Sequence, residues 1–545
     1  MTEPIRLGPF KGANLTLEPK LLPADVGVSS TNHNPVRGDL RPWTTPSTVA
    51  TIPSGRKTIY RFGRDSNVEG QYWFSWTTIV HAVRAFIADD TTERTYFTGS
   101  GAPKVADNTI SLASAPYPTA ARDLGVPVPT TAPTLFQQTA GTGTDETRFY
   151  VYVWVTDRGE VSAPSPVSGA IVCKPGAIID IASFSSVPGG NHGINRIWIY
   201  RTVASEGGAD FYFLREITSA TTVTQDDGRQ PGSDVLQSNG PSGTTGRVWL
   251  PPPSDLKGLV GMWNGMMAGI SGRSVRICEP YRFYAWPAVY ETLPEDTPVA
   301  LAVFQKNLVI LTTGRPLVGT GSAPEAFDAP PVELIAPCVS VQSVAALDHG
   351  VVWASADGLA YVGSKGVPRL LTEGILQRQD WQALNPSTMV GANYLGWYIA
   401  FYQVDGAWKG FAIDPVNPQG IYFLDPGYSA VYADPLQKAL YVLDGTSVKK
   451  WDAGGVPLTV THKTKVFRTP APVNFGAMEL VASSYPWTVK IWADGTQRVN
   501  RSITSRAPFM LPSGFLADEW QIELSGQGAL QGAVMAESIA ELRPL

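Results

Sequence analysis

The sequence predicts an all-β protein: a β-propeller-like core, an inserted β-sandwich of the fibronectin or immunoglobulin type and a C-terminal β domain. Three observations predict it. First, 53 glycines and 45 prolines make about 18% of 545 residues, against a usual share of roughly 12%. Yet 43% of the chain is hydrophobic and only 16% charged. A disordered chain would be charge-rich and apolar-poor, whereas many short strands joined by tight turns give this balance. Second, short runs with strand periodicity recur throughout, the clearest being Phe149–Thr156. Third, Asp-Gly pairs begin at Asp357, Asp405, Asp444 and Asp494, at intervals of 48, 39 and 50 residues. A propeller blade takes about 40–50 residues, and Asp-Gly closes hairpins because both residues tolerate positive φ. A chain of this length exceeds one core, so several domains are expected.

Residues 1–50 are rich in Pro, Asn and Thr, with short apolar pieces at Ala13–Leu17 and Leu21–Leu22. They read as an extended arm crossing a neighbouring surface, or as a partly ordered terminus. Residues 51–125 read as a first β unit and a Pro-rich linker. Lys57–Phe62, Gln71–Trp76, Ile79–Phe86 and Arg94–Phe97 supply four strands, although Ile79–Phe86 fits a helical turn as well. Prolines at 118, 127, 129 and 133 remove ladder donors and make the chain stiff and extended there.

Residues 126–247 read as the sandwich. Phe149–Thr156, Ala170–Cys173, Ile178–Ile181, Gly193–Arg201 and Phe211–Ile217 are strands spaced as in such folds, although the Cys–Trp–Cys pattern of true immunoglobulins is missing. Residues 225–247 form its exit linker. Residues 248–455 read as the propeller-like domain. Its densest stretch, Lys257–Pro287, holds strands at Gly258–Met262, Met266–Ile270 and Ser274–Cys278, with an Asn264-Gly265 hairpin turn. Pro298–Leu311 turns at Gln305–Asn307. Each of the first three Asp-Gly turns joins two more strands: Val351–Ala354 to Ala360–Val362, Trp397–Gln403 to Lys409–Ile413, and Ala439–Leu443 to Val448–Trp451. That makes about five units, and residues 51–110 would complete a ring as a sixth. One helix is expected at Gly374–Leu384, stopped by Asn385-Pro386. Residues 456–545 alternate again, at Leu458–Phe467, Glu479–Ser483, Thr488–Trp492 and Trp520–Leu524, and read as the C-terminal β domain.

The chain offers little chemistry. A net charge of −5 argues against a sequence-reading nucleic-acid binder, which needs a basic face, but leaves room for a passage that DNA slides through. Cys173, Cys278 and Cys338 sit in apolar runs and read as buried thiols. The N-terminus lacks a secretory signal pattern, and no apolar run approaches the roughly 20 residues of a membrane helix. Phosphate-loop, zinc-protease and nucleophile-elbow motifs are missing. His33, His81, His192, His349 and His462 lack metal-ligand spacing, so no metal or cofactor is expected. Glu279, Asp357, Asp405, Asp425 and Asp444 are candidate acids for a glycosidase pair, but most occupy turn contexts, where Asp bonds the local backbone. The cluster Tyr281, Arg282, Phe283, Tyr284, Trp286 and Tyr290 is the candidate subunit interface, a composition enriched at such surfaces; burial in the core and stacking of sugars or bases are the other readings.

Several strings resemble tail proteins of short-tailed bacteriophages, of the kind that form the tail nozzle or tail tube. They are Phe10-Lys11-Gly12, Leu22-Pro23-Ala24, Asn34 and Arg37–Pro42 in the arm; Gln71–Trp76 and Glu93–Thr98 in the first β unit; Gly159–Ser165 and Arg196–Arg201 in the inserted domain; and Leu256-Lys257-Gly258, Asn264-Gly265, Glu279-Pro280-Tyr281 and Ala285-Trp286-Pro287, continued by Thr312–Pro316 and Asp357-Gly358-Leu359. The resemblance implies a non-enzymatic virion protein, made in the host cytoplasm, without a cofactor. Six copies would form a ring below the portal and its head-to-tail adaptor. Double-stranded DNA would pass through the lumen without sequence-specific binding, and tail fibres or spikes would attach outside. A receptor- or glycan-binding tail protein is the alternative, and a glycan-degrading tail enzyme a further one.

Overall fold

The computed structural model describes residues 3–63, 68–203, 210–239, 247–363 and 367–542. Part of the expected exit linker, residues 240–246, lies outside them. The chain is nearly all β; among the described residues its α-helix is Arg378–Ala383, inside the stretch where the sequence predicts one. A reciprocal cap between Gln377 and Asp380 starts that helix. The chain divides into two compact units. One comprises Met1–Thr77, Thr313–Pro316 and Val332–Leu545; the other comprises Thr78–Thr312 and Leu317–Pro331.

The first unit contains consecutive antiparallel sheets built like propeller blades. Ala345–Leu347, Gly350–Ala354, Leu359–Gly363 and Arg369–Leu370 make one meander. Val390–Tyr394, Trp397–Val404, Ala407–Ile413 and Tyr422–Leu424 make the next. In a third, Ala430–Asp434, Ala439–Asp444 and Ser447–Lys450 are completed by Ser47–Thr51 from the N-terminal region. Thr58–Arg61 and Trp73–Trp76 pair beyond it. The first strands of these sheets pack side by side, as in a propeller. Within Trp397–Val404, Tyr398, Ala400 and Tyr402 enter one buried cluster, while Ile399 and Phe401 enter another. A strand covered on both faces needs apolar residues at every position, which explains the continuous apolar runs.

The turns obey the sequence chemistry closely. Asp405-Gly406 and Asp494-Gly495 both have positive φ at both positions (51° and 80°, 49° and 75°), the hairpin geometry whose twist matches the flanking strands. Asp357-Gly358 closes differently: Ser355 N and Oγ both donate to Gly358 O.

The expected N-terminal arm is instead part of this unit. Ile5–Leu7 pairs with Leu530–Ala536. Val26–Thr31 runs antiparallel to Val460–Thr464 and contacts Tyr422–Leu424 in parallel. Ile5, Leu7, Phe10, Leu22, Val26, Leu40 and Trp43 are buried. The segment is Pro-rich overall, but its apolar residues fall at strand spacing, so each short piece has a sheet to complete. Gly27 is required by close packing: a Cβ there would lie 2.6 Å from His462 Cε1. Residues 460–536 form two sheets over a shared core in which Trp487, Val489, Ile491, Trp520, Ile522 and Leu524 alternate inward against Met478, Leu480, Ala533 and Met535.

The second unit holds His81–Arg84, Thr95–Thr98, Lys104–Ala106 and Arg122–Asp123 as one four-stranded sheet. The expected single unit over 51–110 is therefore two separate sheets, because strand alternation alone does not say which strands pair. Lys257–Gly261, Met267–Ser271, Ser274–Ile277 and Glu291–Thr292 form the next sheet; Pro298–Phe304, Asn307–Thr312 and Leu317–Gly319 form a third. Lys257–Gly261 packs against both His81–Arg84 and Pro298–Phe304, so the chain between residues 123 and 257 leaves and returns between adjacent sheets.

That excursion contains two three-stranded sheets. Tyr150–Thr156, Ile194–Thr202 and Phe211–Thr218 form one; Thr134–Thr139, Ile178–Ala182 and Val223–Asp226 form the other. Tyr150, Tyr152, Trp154, Ile181, Ile197 and Ile199 share one core. At its end Asp226 is fully buried and accepts from Arg201 Nη1 (2.7 Å), Tyr150 Oη (2.7 Å) and Arg148 Nη1 (3.4 Å). A buried carboxylate needs such partners to remain charged.

Candidate functional site

The cluster expected at a subunit interface, Tyr281 to Tyr290, lies in the second unit and follows the strands that begin at Lys257. The hairpin turn among those strands is Asn264-Gly265, with φ of 54° and 73°. Tyr281 N donates to Gly265 O at 2.7 Å, and a Cβ on Gly265 would sit 2.6 Å from the Tyr281 ring. Glycine therefore serves both the turn and the close approach of the aromatic. Tyr281 itself holds φ of 59°, a left-handed conformation that is an outlier for a bulky residue.

The cluster divides into buried and exposed members. Phe283, Trp286 and Tyr290 are 2–3% exposed. Phe283 meets Phe86 and Tyr96 edge-on at 4.9 and 5.2 Å, and Trp286 Nε1 donates to Phe283 O. Tyr284 packs between core clusters, and burial pushes its phenol up to about 12. Arg282 lies 4.4 Å over the Trp249 ring and donates to Gln237 Oε1 at 3.2 Å. Tyr281, 62% exposed, presents its ring to solvent. Of the six residues expected at a subunit interface, Phe283, Trp286 and Tyr290 are thus spent on the chain's own interior. The sequence pattern could not separate these roles because aromatic residues serve cores and interfaces alike.

Tyr290 joins Glu279 and Glu325 in a polar triad. Tyr290 Oη is 3.1 Å from Glu279 Oε2 and 3.0 Å from Glu325 Oε1, and Arg247 pairs with Glu325. One phenol proton serves one carboxylate at a time. Burial raises the Glu279 pKa, and the Glu325 charge adds to the rise. Tyr290 is raised as well, first by burial and then by the charge of Glu279. Glu325 and Arg247 were not legible as members, since they come from segments remote in the sequence without a motif.

The other candidate acids occupy separate places. Asp357 pairs with Arg378 at 2.9 Å, and Asp444 pairs with Lys449 at 2.7 Å. Asp405 forms its hairpin turn, and the Asp425 backbone N–H donates to Asn32 Oδ1. Asp357, Asp405 and Asp444 lie in the hairpins of three different sheets, so they make no glycosidase pair with one another. Cys173, Cys278 and Cys338 are free and buried, and burial pushes Cys278 and Cys338 up to about 12. His33 and His462 are buried with ring centroids 6.4 Å apart. His192 Nδ1 lies 2.9 Å from Gly125 O. Among the described residues, no group of three or more His, Cys, Asp or Glu side chains is placed to hold a metal ion, and no helix is long and apolar enough to cross a membrane.

No family model matches the chain, and no curated protein matches it. Among solved structures it is similar to PorZ, a surface component of the type-IX secretion system of Porphyromonas gingivalis, at 12% identity over 84% of this chain and 46% of that one, with a TM-score of 0.28. It is also similar to AztD from Citrobacter koseri (13% identity, 55% and 77% coverage, TM-score 0.24). A third is the extracellular domain of the one-component system BT4673 from B. thetaiotaomicron (8%, 94% and 62%, TM-score 0.23). The chain spans about half the length of PorZ. Likeness at these TM-scores carries no functional argument.

Proposed function

We propose that this chain is a non-enzymatic structural protein of a short-tailed bacteriophage tail. In this reading several copies, about six, form a ring through heterologous contacts between neighbours. The ring is a nozzle or tube below the portal and its adaptor; double-stranded DNA passes through it, and fibres or spikes attach to its outside. The inserted sandwich is a fibronectin-like module. The observation that carries the reading is a coincidence of strings and architecture. The strings that resemble tail proteins, at Glu93–Thr98, at Arg196–Arg201 and at intervals between Leu256 and Pro287, fall respectively on a four-stranded sheet, on one of the two three-stranded sheets that follow it, and on and just after the next sheet along the chain. The mildly acidic chain, with a net charge of −5, suits a lumen that does not retain DNA.

The test is native mass measurement of the purified chain and its assemblies, with averaged electron images. Closed rings of about six copies with a central hole are expected. A compact trimer, or cleavage of host polysaccharide by the purified protein, would overturn the reading.

A further inference from the structure

We propose that the second unit carries a binding site for a neutral saccharide beside the Asn264-Gly265 turn. A shallow hollow of about 640 Å³ opens there, lined by Trp263, Asn264, Lys306, Asn307, Thr320 and Ser322 among others. Three short connections build it: the turn after Lys257–Gly261, the turn between Pro298–Phe304 and Asn307–Thr312, and the chain beyond Leu317–Gly319. Its volume falls within the range of roughly 300–1,000 Å³ typical of small-ligand sites.

The chemistry of the lining selects the ligand class. Trp263 packs partly on the core beneath, and its Nε1 donates to Gly321 O at 2.6 Å, so the indole is held in one orientation. Asn264 Nδ2 donates to Ser322 O at 2.9 Å, which leaves the amide oxygen as an acceptor. The Thr320 and Ser322 hydroxyls and the Lys306 ammonium add donors, and among the described residues Lys306 forms no ion pair. No carboxylate lines the hollow. A fixed aromatic ring surrounded by amides and hydroxyls matches a sugar, which offers apolar C–H faces and a dense set of neutral hydroxyls. A phosphate would favour more positive charge than the single point charge of Lys306, and an apolar ligand would strand these polar groups without partners.

Backbone strain gathers at the same place. Asn264, Gln305 and Tyr281 all hold left-handed φ, of 54°, 52° and 59°. Gln305 and Tyr281 lack the tolerance of Asn for this region, and strain of this kind clusters at ligand-binding loops. Tyr281, against Gly265, stands beside the turn as an exposed aromatic next to the half-buried Trp263. The site is independent of the tail reading, since it requires only a folded chain.

The test is saturation-transfer NMR on the full chain with maltotriose, chitotriose, 3′-sialyllactose and methyl phosphate at millimolar concentration. Saturation transfer to at least one neutral trisaccharide is expected. It should weaken about tenfold, the loss of a ligand hydrogen bond, in Asn264→Gly and in the double variant Lys306→Ala/Ser322→Ala. Glycine accepts the φ of position 264, so the turn persists, and an unchanged thermal transition verifies folding. Thr320→Ala provides a second surface variant if Asn264→Gly unfolds. No transfer to either neutral trisaccharide, undiminished transfer in these variants, or transfer confined to sialyllactose or methyl phosphate overturns the proposal. Failure of the chain to form rings would count against the tail reading and leave this result standing.

Discussion

Acidification from about pH 7.5 to about pH 5 should weaken the first unit by about 4 kcal/mol, through two histidines buried where the N-terminal segment meets the C-terminal sheet. His33 Nδ1 lies 3.2 Å from Ser30 Oγ, and its Nε2 lies 3.0 Å from Asp39 O. His462 stands edge-on to Phe10 at 5.4 Å, and its Nδ1 has no hydrogen-bond partner among the described residues. Burial drives both imidazoles down from 6.5, His33 to about 4 and His462 to about 3; the Asp39 carbonyl and carboxylate near His33 oppose the shift only in part. Because the folded values lie below the unfolded ones, the stabilisation is complete above about pH 6.5 and is lost as pH falls toward the folded values. At pH 5 each unfolded imidazole sits about 1.5 units below its pKa, worth about 2 kcal/mol at 1.36 kcal/mol per unit, while the folded rings remain largely neutral. Two rings give about 4 kcal/mol, a large part of a typical stability of roughly 5–15 kcal/mol. The depressed carboxylates Asp39 and Glu69 in this unit add their losses only at lower pH. The assay is hydrogen exchange of peptides covering residues 26–33 and 460–464, corrected for intrinsic rates, alongside urea unfolding across this pH range. His462→Leu changes the absolute stability, so the slope is the readout, and it should fall by about half. A flat profile in the parent, or an unchanged slope in His462→Leu, would refute the reasoning.

The packing leads to three further outcomes. Removal of residues 1–51 should leave an insoluble or unfolded first unit by circular dichroism and gel filtration, because Ile5–Leu7, Val26–Thr31 and Ser47–Thr51 complete its sheets; a folded truncation with merely weaker assembly would contradict this. Asp226→Asn should destabilise the pair of three-stranded sheets between residues 134 and 226 by about 3–5 kcal/mol, since Arg148 and Arg201 lose their buried counter-charge, and the unfolding midpoint in urea would register it. Cys173, Cys278 and Cys338 should resist a thiol reagent in the native state and react together on unfolding, being buried with raised pKa values; rapid reaction of any one under native conditions would place it at the surface.

Local chemistry was legible in the sequence, and assembly was not. Asn264-Gly265, Asp405-Gly406 and Asp494-Gly495 became hairpin turns because positive φ at both positions is a property of those residues themselves. The all-β class, the strands of Lys257–Pro287 and the helix before Asn385-Pro386 came from the same short-range preferences. What the tertiary structure decided was which strands pair and which aromatics remain exposed. Ser47–Thr51 completes a sheet with Ser447–Lys450, and Glu325 reaches Tyr290 from across a hairpin; both contacts join residues whose partners lie outside any local window. Pairing and burial depend on the summed fit of distant surfaces, in which a Pro-rich terminus gains a place whenever its few apolar residues meet an open edge. Composition therefore mistook that terminus for an arm, and the same reasoning could not distinguish Phe283, sealed in the core, from Tyr281, left beside the hollow.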